Sequence, residues 1–96
     1  MVRFSSIQLI GDEVQVAGPI EPTSATVRGI EFALAQTDAM VQGEGTISGT
    51  TGWSGQVANE GLKPGPAFAF GVATLLSADP RGMQTFTWFE QVEVTG

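Results

Sequence analysis

The chemistry open to this sequence is narrow. Ten carboxylates and four basic side chains stand without a single histidine or cysteine. That removes the imidazole base, the Ser/His and Cys/His pairs, thiolate metal ligands and any disulfide framework. Catalysis is left to carboxylates, Lys63 and hydroxyls, and no catalytic motif joins them, so the chain is read as a non-enzyme. The acids do not have cation-binding spacing either. Asp12-Glu13, Asp38, Glu60 and Asp79 fall in separate turns with no Asp-x-Asp-x-Asp run, whereas calcium takes about six to eight oxygens. They read as solvated turn residues, and no metal or cofactor is expected.

Glu90 is the acid that stands apart. Period-2 alternation places it between Trp88 and Val92 on an otherwise apolar face. An unpaired buried carboxylate is costly, so a bulge at Phe89-Glu90 that turns it outward is one reading. The other is a site residue paired with an arginine or with a partner. Trp53, Trp88 and Phe89 are the candidate ligand anchors, since surface aromatics stack on sugar rings or fill partner pockets. Alternation puts Trp53 and Trp88 in the core and leaves Phe89 as the exposed one.

These residues are positioned by strands. Leu62 to Leu76, LKPGPAFAFGVATLL, opens with the turn Lys63-Pro64-Gly65 and becomes the longest apolar run. Phe68, Phe70, Val72 and Leu76 share one face with Thr74; Ala67, Ala69, Gly71, Ala73 and Leu75 share the other. Period 2 with two apolar faces describes a central strand. The small face, with Ala69 and Gly71 at its centre, reads either as lightly packed under loops or as a smooth surface where a second subunit or neighbouring domain docks.

Taken in order, Arg3–Ile10 is a strand of imperfect alternation, and Gly11-Asp12 a turn. Glu13–Ala17 is a short strand, after which Gly18-Pro19 and Glu21-Pro22 break the ladder and suggest an edge. Ser24–Gln36 is a long strand with a bulge or kink near Arg28-Gly29. A helix over Gly29–Gln36 is the alternative, weakened by the preceding β-branched Thr23, Thr26 and Val27. Thr37-Asp38 turns into Met40–Ser48, where Val41 and Ile47 alternate with polar residues. Gly49–Gly52 is a loop, Trp53, Gly55 and Val57 share a face of the next strand, and Asn59-Glu60-Gly61 and Lys63-Pro64-Gly65 are two closely spaced turns around Leu62. Beyond the central strand, Ala78–Gly82 is a loop and Gln84–Thr95 the last strand. Six or seven strands with turn signals every ~8–12 residues, and no helix to cover a sheet, predict an all-β sandwich or small barrel.

Leu62-Lys63-Pro64-Gly65-Pro66-Ala67-Phe68 resembles the turn before the sixth strand of fibronectin type III and related immunoglobulin-like domains, where Leu-x-Pro-Gly precedes an aromatic, usually Tyr. Gly52-Trp53 followed by Leu62 and Gly65 is similar to the layout of bacterial immunoglobulin-like modules. Phe68 lacks the hydroxyl of the tyrosine corner, and the second strand has no tryptophan. The resemblance implies a single immunoglobulin-like antiparallel β-sandwich of about seven strands over residues 1–96. It also implies a non-catalytic interaction or spacer module.

The net charge of −6, with Arg3, Arg28, Lys63 and Arg81 scattered, opposes nucleic-acid binding and anionic membranes. No apolar run reaches the ~20 residues of a membrane-spanning helix. If Met1 is the natural start, a cytosolic location is expected; if the sequence is a piece of a larger protein, a surface or extracellular one. The expected function is a structural or protein-interaction module that associates, with itself or another protein, through a sheet face or edge. A small carbohydrate- or ligand-binding domain using Phe89 with Trp88 or Trp53 is the alternative.

Overall fold

A computed structural model describes residues 2–20, 26–49, 52–76 and 82–96. The turn at Glu21-Pro22, the β-branched Thr23, the loop centre Thr50-Thr51 and the Asp79-Pro80-Arg81 loop lie outside the described residues.

The described residues form seven strands: β1 (Ser6–Ile10), β2 (Glu13–Pro19), β3 (Thr26–Gln36), β4 (Ala39–Ser48), β5 (Gly52–Ala58), β6 (Gly65–Leu76) and β7 (Met83–Val94). They make one antiparallel sheet in the order β1-β2-β5-β4-β3-β6-β7. The sheet curls until its two ends touch, through a parallel bridge between Gln8 and Thr95. The all-β expectation holds, and Gly29–Gln36 is strand, not helix. The register of β3 against β6 slips between Val27 and Gly29, at the bulge the sequence suggests.

One local expectation is corrected. Gly18-Pro19 does not end the ladder, and β2 is not an edge. β2 lies between β1 and β5 and runs through Gly18, opposite Trp53, to Pro19, opposite Gly52. Proline is tolerated at this last residue of the strand, and its carbonyl still accepts from Arg3 N–H at 3.3 Å.

The concave side is the core. Ile7, Val14, Val16, Ile30, Phe32, Leu34, Val41, Trp53 and Val94 are buried there together with Ala67, Ala69 and Ala73. The small face of β6 therefore points inward, and for a steric reason. At Gly71 a Cβ would overlap the Trp88 ring, and at Gly45 it would lie 2.6 Å from Trp53 Cε3. A tightly curled sheet has room for large inward side chains on some strands only if others present glycine or alanine.

Leu62 is buried between its two turns. The Asn59 side chain holds it there, with Oδ1 accepting from the N–H of Leu62 at 2.8 Å and of Gly61 at 3.2 Å. Gly61 and Gly65 have φ of 110° and 132°, values that favour glycine. Gln36 bridges from β3, accepting from Lys63 N–H at 3.0 Å and donating to Lys63 O at 2.7 Å. These bonds fix where β6 begins.

Candidate interaction face

Inward Ala67, Ala69 and Gly71 force their neighbours outward. Phe68 and Phe70 are 44% and 45% exposed on the convex surface, and Phe89 of β7 is 56% exposed beside them. Phe70 and Phe89 are direct cross-strand partners. Their rings meet edge-on with centroids 5.0 Å apart, and Phe68 stacks on Phe89 at 5.4 Å. On the adjacent strands Ala35 neighbours Phe68 and Met40 neighbours Ala35, and Met40 is exposed. An apolar band thus crosses β7, β6, β3 and β4. Beside Phe68 lies a groove of about 700 Å³ lined by Ala35, Pro66, Gln91, Val92 and Glu93.

The residues singled out from sequence divide cleanly. Phe89 lies on the exposed face, as alternation predicts. Trp53 is 2% exposed, and Trp88 packs partly buried against the core. They face the opposite side of the sheet from Phe89, so the proposed pairing of Phe89 with a tryptophan is not formed. Ala69 is fully buried and Gly71 is buried. This corrects the reading of that face as a docking surface, because the interior aromatics already occupy it. Phe68 and Phe70 were the residues missed. The signal was present in the inward-phased Phe32, Trp53 and Trp88, which need small residues opposite them.

Glu90 has an arrangement neither sequence reading contains. β7 pairs with β6 without a slip from Val94 to Met83, so no bulge turns Glu90 outward. Its Oε2 accepts from Phe4 N–H at 2.8 Å and from Trp88 Nε1 at 3.1 Å. The Phe4 donor is available because Ser5 N–H bonds Ala17 O at 2.8 Å although Ala17 is already the partner of Ser6. That bulge turns the Phe4 amide toward β7. Nearby, Trp53 Nε1 donates to Arg3 O at 3.0 Å. Glu90 thus caps a backbone donor where β1 and β7 diverge, in a cleft of about 420 Å³ that Ser6, Gln8 and Gln91 also line. Among the described residues, no group of three acids gathers to hold a metal ion.

No family model matches the chain, and neither a curated protein nor a solved structure is detectably similar to it.

Proposed function

We propose that the domain is a non-enzymatic interaction module that engages a protein partner through the convex face of β6 and β7, with Phe68, Phe70 and Phe89 as anchors. The observation that carries this reading is the mutual packing of these half-exposed rings on a surface separate from the core. Aromatics of about 150–250 Å² each, clustered and ringed by polar groups, are the usual centre of a binding patch. Along this face, from Leu76 and Met83 to Phe68 and Gln91, no outward residue carries a charge, although the chain carries −6.

The finer fold reading is an immunoglobulin-like sandwich. It is supported by the neighbour sets β1-β2-β5 and β3-β6-β7, with β4 between them. In such domains the first, second and fifth strands share one sheet, and the third, sixth and seventh share the other. Phe68 departs from that pattern, because it has no hydroxyl to make the tyrosine-corner hydrogen bond.

A second reading, carbohydrate binding, has one observation in its favour. The ring pair Phe68–Phe89 stands beside the groove that holds Gln91 and Glu93, and a flat ring flanked by amide and carboxylate groups suits a sugar.

The test replaces Phe89 with benzoylphenylalanine, irradiates in an extract of the source cells, and uses Thr46 on another outward strand as the control position. A discrete protein adduct at 89 and none at 46 supports the module. Equal labelling at both positions refutes it. A screen of soluble oligosaccharides against the wild type and Phe89→Ser decides the second reading.

A further inference from the structure

We infer that the free edge of β7 pairs with the same edge of a second copy of this chain, joining two sheets into one. This goes beyond the phenylalanine face and does not depend on that face binding anything.

Hydrogen-bond direction identifies the free edge. In a strand, successive N–H and C=O pairs point to alternate sides, so residues of one parity serve one neighbour and the rest serve the other. Thr95 N–H donates to Ile7 O at 2.9 Å, and Thr95 O accepts from Leu9 N–H at 2.8 Å. Odd-numbered residues of β7 therefore point away from β6. Pairing with β6 is unbroken from Met83 to Val94, so the same holds for Met83, Thr85, Thr87, Phe89 and Gln91. Among the described residues none of these has a strand partner on that side. The even-numbered residues bond β6.

Such an edge invites a strand, and proteins usually blunt it with proline, lysine, a bulge or an inward charge. Between Met83 and Phe89, MQTFTWF, there is none of these. Glu90 is an inward charge, but its Oε2 is engaged by its own chain at Phe4 and Trp88. The segment is rich in threonine and aromatics and free of glycine, which favours strand pairing.

Charge limits where a second copy can approach, and the register there is self-complementary. Two copies at −6 each repel, and this uncharged stretch is where they can approach. A two-fold axis at Thr87 sets Thr87 against Thr87 and Thr85 against Phe89 of the second copy. No acid faces an acid in that register, and threonine and aromatic cross-strand pairs are favourable. The dimer is isologous and closes.

The experiment is light scattering over a dilution series, with amide exchange by NMR at the two ends of the series. The expected mass is about twice the 10.0 kDa of the chain at high concentration, falling to one chain on dilution. Amides of Thr85, Thr87 and Phe89 exchange at least about tenfold more slowly in the dimer, whereas those of Phe86 and Trp88 are protected in both states. Thr87→Pro removes an edge donor without touching the β6 ladder and raises the dissociation constant at least about tenfold. A monomer throughout overturns the inference, as does a dimer whose odd-numbered amides exchange equally in both states. A dimer lost in Phe70→Ser but kept in a folded Thr87→Pro also overturns it and moves self-association to the phenylalanine face. The exchange measurement decides the matter even if the proline variant fails to fold.

Discussion

Phe4, Phe32, Trp53 and Trp88 meet on the concave side of the sheet, whereas Phe68, Phe70 and Phe89 meet on its convex side. Only the thickness of β6 and β7 separates the two groups. Inside, ring centroids stand 5.2 Å (Phe4–Trp53), 5.5 Å (Phe4–Trp88) and 5.9 Å (Phe32–Trp53) apart. Each inner ring has neighbours on several strands, and both indole N–H groups find an acceptor. Outside, the rings touch one another across a single strand pair and otherwise face solvent. Aromatic packing thus has two separable uses in this small β domain. One fixes the curl of the sheet, and the other keeps a sticky surface in a defined shape.

Substitutions in the inner and outer groups differ in what they cost. Trp53→Ala is expected to cost most, about 3–5 kcal/mol by urea unfolding, because it leaves a cavity and orphans the Arg3 carbonyl. Gly71→Ala comes next. It adds one methyl where the Trp88 ring already lies, and overpacking of this kind costs about 1–3 kcal/mol. A silent Gly71→Ala shows that the inner rings have slack and that the small face of β6 is not sterically required.

Glu90→Leu acts at the seam between β1 and β7. It strands the Phe4 and Trp88 donors, so a loss of about 1–3 kcal/mol is expected. Glu90→Gln, which keeps an acceptor, is expected to lose less than half of that. Equal losses in the two variants show that the carboxylate's charge matters more than its hydrogen bonds. Smallest is Phe89→Thr on the outside, expected to cost about 1 kcal/mol or less while binding of a hydrophobic dye falls several-fold. A cost as large as that of Trp53→Ala makes the outer rings part of the core after all.

How much of this was legible in the sequence follows from the range of each signal. Alternation and turn chemistry are local, so the strands, the Arg28-Gly29 bulge and the turns around Leu62 could be read directly. Alternation also sorted β6 into a large and a small face. It could not say which is inside, because both are apolar and the answer depends on Trp88 and Trp53 packing from other strands. Pro19 misled for a related reason, since whether a proline ends a ladder depends on where the partner strand stops. Glu90 was visible as an anomaly. Its partner was not, because a backbone N–H lying 86 positions away has no residue type to search for.

The seam has a mechanical consequence. β1 and β7 run parallel where they meet at Gln8 and Thr95, so the chain enters at one end of the seam and leaves at the other. Tension applied to the two ends drags these strands past each other along their length. The Ile7–Thr95 and Leu9–Thr95 bonds are then loaded together in shear instead of being unzipped in turn. The bond from Glu90 to the Phe4 amide bears on the same slide. A closure that looks slight by its number of hydrogen bonds thus acts as a latch against pulling.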